Sequence, residues 1–193
     1  MPFTPFSIDD LPATPWKNGG GSTREIVCQP AGAGVLDFDW RVSIATIAQA
    51  GPFSAFPGVD RVIVLLAGDG VRLRGEGVDH RLDQPLAPFA FAGDTSLHCD
   101  PLGGTSTDFN VMTRRGRARA EIHLLQAAGD AAAGAAGLLL TVAGTWQCTA
   151  EAADPLRCEA GQGLWWPAAG PGWQLRPLTE DAALIAVRID IIE

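Results

Sequence analysis

Tyrosine is absent from this chain of 193 residues, lysine occurs once, asparagine and methionine twice each, and histidine three times. Each scarcity excludes something. With a single lysine and a formal charge of −8, the chain lacks the basic footprint that phosphate backbones require, so no nucleic acid is expected as a partner. The run Arg114, Arg115, Arg117, Arg119 is the local exception and reads as a solvated strand end. His80, His98 and His123 lie far apart, without H-x-H or H-E-x-x-H spacing, and no metal is expected on them. Cys28, Cys99, Cys148 and Cys158 form no C-x-x-C pair and read as buried thiols. A bridge between Cys148 and Cys158 would require an oxidising compartment. There is no G-x-S-x-G elbow, and no catalytic residue or cofactor is assigned. No apolar run reaches the length of a membrane span, and the opening MPFTPFSIDDLP lacks the regions of a signal peptide. The expected address is the cytoplasm, with no membrane partner.

What is present is a globular composition, 47% apolar and 19% charged, punctuated by 23 glycines and 14 prolines. Between the punctuation lie short runs rich in Val, Ile, Leu, Phe and Trp, which read as strands. WRVSIATI from Trp40 alternates with period two. VIVLLAG from Val62 and VRLRG from Val71 make a hairpin across Asp69-Gly70. Further strands are expected at 88–93, 107–115, 118–126, 137–144, 145–150, 163–168 and 182–192. The Ala/Gly stretch 127–137 reads as a linker, with brief helix as the alternative. Many short strands with frequent turns indicate a sandwich or barrel. VLLAGDGVRL followed by PFAFAGDTSL in one half matches LLTVAGTWQC followed by CEAGQGLWWP in the other, which points to two copies of a small barrel. The expected domains are 1–126, carrying the pocket, and 127–193, smaller, with terminal strands open to exchange.

The scarce residues are not scattered. Lys17, Asn18, Asn110 and Met112 fall in two short segments, PWKNGGG and DFNVM. A compact ammonium and side-chain amides are things arginine cannot imitate. Three consecutive glycines, Gly19, Gly20 and Gly21, offer backbone N–H groups that a ligand can approach, and Lys17, Asn18, Ser22, Thr23 and Arg24 surround them with donors. The chemistry implied is an anion, with a carboxylate as the expected group. A tight turn leading into the first strand is the alternative account of the same glycines. Strand alternation puts Asp108, Asn110, Met112 and Arg114 on one face, and places Arg41 and Ser43 together on another. A solvent-facing sheet edge is the plain alternative for the first of these faces. The adjacent Trp165 and Trp166 read either as one core and one surface residue or as an exposed contact patch.

PWKNGGGSTREI, WRVSIATIAQAGPFSAFPGVDRVIVLLAGDGVRL, FAFAGD and DFNVMTRRG, in that order, resemble the HutD/Ves family from Pro15 to about Gly116. The second half matches more loosely. The resemblance implies an all-β bicupin, two small antiparallel jelly-roll-like barrels packed together, with a pocket for a small acid and a regulatory role in histidine utilisation. N-formylglutamate, formiminoglutamate and urocanate are the class of ligand in view. Where metal-dependent cupins carry H-x-H and then Glu, FSAFPGVDRV offers Ser54, Phe56 and Asp60 or Arg61. His98 is spaced too far from Gly93 to serve as the later ligand, so no metal is expected. The expected anion site comprises Lys17, the three glycine amides, Arg24 and Arg61, with Thr23, Arg41, Ser43, Asn18, Asp108, Asn110, Met112 and Arg114 beside it. The rival reading is a metal-independent isomerase or hydrolase with Asp108 as general base and Lys17 as electrostatic stabiliser. A homodimer is the simplest assembly.

Overall fold

Turn residues cut this chain into segments too short for stable helices, and the apolar runs between them favour pleated surfaces. The computed structural model describes residues 3–151 and 153–192. Among these residues the regular elements are strands, apart from one short 3-10 turn at Ile8–Asp10. Contacts divide the chain into two units. One spans Pro12–Ala118; the other joins the N-terminal residues up to Leu11 to the chain from Arg119 onward.

The first unit holds a six-stranded sheet, in the order Ala13–Pro15, Gly21–Gln29, Trp40–Ile47, Ser106–Arg114, Val59–Ala67, Pro88–Ala92. Its second sheet runs Gly51–Phe53, Leu97–Pro101, Val71–Gly75, Val78–Leu82. The second unit repeats the plan. There Ala118–Leu125, Ala183–Ile191, Ala136–Ala143 and Gln162–Trp166 follow one another, with Thr4–Ser7 added at the edge. Gly129–Ala131, Trp173–Pro177, Thr145–Ala150 and Leu156–Glu159 form its partner sheet. Even an irregularity recurs. The ladder between Ser106–Arg114 and Val59–Ala67 shifts register at Thr107/Asp108, and the ladder between Ala183–Ile191 and Ala136–Ala143 shifts at Thr141/Ala143. The chain is therefore all-β and antiparallel, built on one topology used twice.

The boundary differs from the one read at 126/127. Ala118–Leu125 forms the edge of the second unit's five-stranded sheet, and Thr4–Ser7 pairs with Gln162–Trp166 of that unit. The Ala/Gly stretch is neither helix nor bare linker, because Gly129–Ala131 pairs with Trp173, Gln174 and Leu175 as a short strand. Such a run is hidden from composition, since alanine and glycine carry no β signal of their own.

Each unit buries its own core. In the first, Ile47, Phe53, Ile63, Leu65, Leu73 and Leu97 cluster with Cys99. In the second, Trp146, Trp166 and Trp173 pack with Leu139, Leu184 and the free thiols Cys148 and Cys158. Truncating one of these tryptophans to alanine removes about 3–5 kcal/mol of stability. Trp165 is half-buried while Trp166 is buried, which resolves the adjacent pair into one core residue and one nearer the surface. No helix among the described residues is long and apolar enough to cross a membrane.

Candidate ligand-binding site

Alternation along four neighbouring strands of the first unit assembles the site. In Ser106–Arg114, Asp108, Asn110 and Met112 point one way, while Phe109 and Val111 are buried on the other face. The register sets Asn110 opposite Ser43 on one side and Ile63 on the other. Met112 stands opposite Arg41 and Arg61. Arg41, Ser43, Ala45 and Thr23 share that face. Together with Lys17, Asn18 and Arg61 these residues line a cavity of about 430 Å³. Trp16, Pro52, Phe53, Phe56 and Val35 supply its apolar wall.

Arg61 dominates the interior. It is only 4% exposed. Its Nη1 donates to the Ser54 carbonyl at 3.1 Å and its Nη2 to Asn110 Oδ1 at 3.4 Å. The guanidinium carbon lies 4.5 Å from the centre of the Phe53 ring, 5.0 Å from Phe91 and 5.3 Å from Phe56, so three aromatic faces hold the cation. Burial lowers its pKa to about 10, the negative charge of Asp108 works against that fall, and Arg41 adds to it. Arg41 itself is held by Glu25, with Nε to Oε2 at 2.6 Å, and its Nη1 lies 3.8 Å from Met112 Sδ.

Asp108 is 2% exposed, and neither carboxyl oxygen has a hydrogen-bond partner. Desolvation pushes its pKa up to about 7, against the pull of Arg61. Ser43 Oγ and Arg61 Nε are likewise buried without partners. Buried polar atoms are nearly always satisfied in folded proteins; Thr141 Oγ1 and the indole nitrogens of Trp146 and Trp173 in the second unit are also unpartnered, but the four atoms here gather around one cavity, where a ligand could serve them together.

The glycine run does something other than cradle an anion. Gly19 N–H donates to the Trp16 carbonyl at 3.0 Å and Gly20 N–H to Asn18 Oδ1 at 3.0 Å, so these amides close a turn. A Cβ on Gly21 would come within 2.2 Å of the Thr46 carbonyl oxygen and 3.0 Å of the Trp16 ring. Close packing of two strands under an indole therefore explains that glycine. The turn does deliver Lys17 and Asn18 to the rim. Two arginines also leave the expected set. Arg24 pairs with Ile44, and alternation turns it from the face shared by Thr23 and Ala45. Arg114 has the same parity as Asp108, but it sits at the strand end, where its guanidinium donates to the carbonyls of Phe38 and Leu36. Arg115 is paired with Asp60 and Asp94, and Arg117 lies 3.6 Å from Asp39, so two of the four arginines in the run face local acids. The apolar wall gave no sequence signal, because phenylalanine beside an arginine pocket looks the same as phenylalanine in a core.

The repeated topology allows a position-by-position contrast. Aligned at the shared register shift, Asp108 corresponds to Leu184, Asn110 to Ala186, Arg61 to Gly137 and Phe91 to Trp166. A Cβ on Gly137 would meet the Trp166 ring at 2.7 Å. The indole thus fills the space that an arginine side chain occupies in the first unit, and its Nε1 donates to the Ala135 carbonyl at 2.8 Å. What remains beside Trp166, Ala186 and Arg188 is a cleft of about 310 Å³. Its Arg188 is engaged by Asp190.

The histidines stand apart from the cavity. His80 stacks on Phe89, His98 lies 3.3 Å from Asp100, and His123 lies 3.9 Å from Glu121. Among the described residues, no group of three or more His, Cys, Asp or Glu side chains is placed to hold a metal ion.

The chain is similar over its whole length to HutD from Pseudomonas fluorescens SBW25, whose structure was obtained in a formate condition. The two share 29% identity and a TM-score of 0.85, with 100% of each chain covered. A cupin 2 conserved barrel domain protein from Leptotrichia buccalis superposes with a TM-score of 0.61 at 10% identity, over 97% of this chain and 96% of that one, and shows the cupin fold. In sequence, Protein Ves of Cronobacter sakazakii is 37% identical over 162 residues, 83% of this chain and 85% of its own. A 21.2 kDa Pseudomonas putida protein from the hutC 3′ region is 45% identical over 113 residues, 58% of this chain and 59% of its own. The HutD family model matches residues 8–185. The chain, a duplicated cupin, belongs to the HutD/Ves family.

Proposed function

We propose that the protein binds a small carboxylate metabolite in the cavity of its first unit and acts as a regulatory binder in histidine utilisation. N-formylglutamate, formiminoglutamate and urocanate are the candidate ligands, and the cytoplasm is the expected compartment. The observation that carries the reading is Arg61, a cation buried among three phenylalanines with its Nε unmatched inside a cavity of about 430 Å³. A desolvated guanidinium binds a carboxylate with a charge-assisted hydrogen bond far stronger than the same contact in water. Arg41 and Lys17 add positive potential at the same opening. The position of the Pseudomonas putida relative beside hutC supports the metabolic setting.

Isothermal titration with the three acids tests this. Binding of at least one at micromolar to millimolar concentration, weakened in Lys17→Ala and abolished in Arg61→Met, is the expected outcome. Failure of all three to bind at millimolar concentration rejects them as the protein's ligands.

A second reading rests on Asp108. A buried carboxyl with a pKa of about 7 and no fixed partner is suited to general base catalysis at neutral pH. In this version the cavity isomerises or hydrolyses its acid. Incubating each acid with the protein and following it by NMR separates the two, since a binder leaves the spectrum of the free acid unchanged over hours.

A further inference from the structure

The cavity of the first unit contains unmet hydrogen-bonding capacity of two opposite kinds. Arg61 Nε is a buried donor without an acceptor, whereas both oxygens of Asp108 are buried acceptors without a donor. While Asp108 is ionised, a plain carboxylate satisfies only the first. It would also bring a second negative charge into a nearly dry space shared with Asp108, which costs both groups solvation without giving Asp108 a partner. Arg41 Nε is committed to Glu25, and its Nη1 faces Met112 Sδ.

The spacing is legible from the ladder. Asp108 stands opposite Leu65 and Ala45, and Arg61 stands opposite Met112, four residues along the strand. The Arg61 side chain reaches back to Asn110 Oδ1. Its guanidinium therefore ends about one register step from Asp108, two residues or roughly 6–7 Å along the strand. Ser43, opposite Asn110, leaves its own buried hydroxyl unpartnered at the register level that the guanidinium reaches.

We propose that the ligand of this cavity is bifunctional, with an acid facing Arg61 and, a few bonds away, a planar pair of N–H donors of the amidine or guanidine class facing both oxygens of Asp108. This rests on the acid-binding reading above and adds the second functional group to it. A planar donor pair meets a carboxylate through two parallel N–H···O contacts, the fork geometry of arginine–carboxylate pairs, and it leaves neither Asp108 oxygen without a donor. Its positive charge also balances Asp108, as the acid balances Arg61, so each buried charge gains an opposite neighbour.

Matched probes that differ only in that group provide the test. Guanidinoacetate and its one-carbon-longer homologue are titrated against their hydrocarbon isosteres, isocaproate and isoheptanoate, by calorimetry on the full chain. At least one guanidino acid is expected to bind tenfold or more tightly than its isostere. Asp108→Asn, checked for folding by thermal melting, is expected to bring that pair within about threefold. Equal affinity within both pairs in the unmodified protein overturns the proposal while leaving the acid-binding reading in place, and so does failure of both guanidino acids alone. If N-formylglutamate, formiminoglutamate and urocanate fail along with all four probes, the acid-binding reading falls and this proposal with it.

Discussion

Arg61 Nη2 and Asn110 Oδ1 meet at 3.4 Å across two adjacent strands, joining a buried cation to one of the only two asparagines in the chain. The contact is long for a hydrogen bond, and the guanidinium keeps a free Nε beside it. An arginine held by aromatic faces, one carbonyl and one long amide contact retains capacity for a further partner.

Replacing that guanidinium tests its role directly. In Arg61→Lys the charge is kept, but a single ammonium cannot reach both the Ser54 carbonyl and Asn110 while lying flat among Phe53, Phe56 and Phe91. Affinity for the acid is expected to fall at least tenfold by calorimetry, equivalent to about 1.4 kcal/mol.

Asp108 makes stability depend on pH in a direction opposite to most carboxylates. Its folded pKa of about 7 lies above the ordinary value of 3.8. The folded state therefore binds the proton more tightly than the unfolded chain does. Its contribution is fully present below pH 4 and is lost as pH rises through about 7, by at most on the order of 4 kcal/mol. Arg61 and the residue's own backbone N–H oppose that rise, Arg41 and Lys17 line the same cavity, and Cys99 on the partner sheet feels the charge of Asp108 in turn. Asp108→Asn has no proton to lose. Denaturant unfolding of both proteins should show the variant gaining relative to the parent between pH 4 and pH 8, with most of the gain by pH 7.5.

Gly21 is required by packing. Gly21→Ala drives a methyl against the Thr46 carbonyl and the Trp16 ring, contacts that backbone cannot easily yield. The melting temperature is expected to drop by roughly 3–10 °C, the range that overpacking of about 1–3 kcal/mol produces in a chain of this length.

Lys17 acts from the exposed rim, so its contribution is screened. Lys17→Ala should weaken acid binding about two- to fivefold at low ionic strength, and the difference should shrink towards zero in about 1 M salt.

Arg114 separates structure from binding. Its guanidinium donates to two backbone carbonyls and lies 5.5 Å from the Phe38 ring centre. Arg114→Ala is expected to lower the melting temperature by several degrees. Calorimetry should show the affinity for the acid unchanged within twofold.

Period-two alternation was readable wherever a strand was long and mixed polar with apolar residues. It put Asp108, Asn110 and Met112 together, and likewise Arg41 and Ser43, because the pleat leaves no other arrangement. The same rule misplaced Arg114, since parity says which face a residue takes but not where along the strand the cavity stops. The glycine run resisted reading for a different reason. Three glycines free the backbone for a ligand or for a turn, and only the Trp16, Asn18 and Thr46 contacts decide between them. Short strands such as Ala13–Pro15, Gly51–Phe53 and Gly129–Ala131 exist because a neighbouring ladder recruits them, a long-range cause that local composition does not record.

The indole of Trp166 lying over Gly137 has a consequence beyond packing. A barrel that hosts buried, half-satisfied charges surrenders stability in proportion to how ready it is for its guest. By filling the matching space with aromatic carbon, the other copy is released from that compromise and can accumulate stabilising substitutions without touching specificity. Duplication here separates two selective pressures that a lone barrel would have to reconcile within one set of residues.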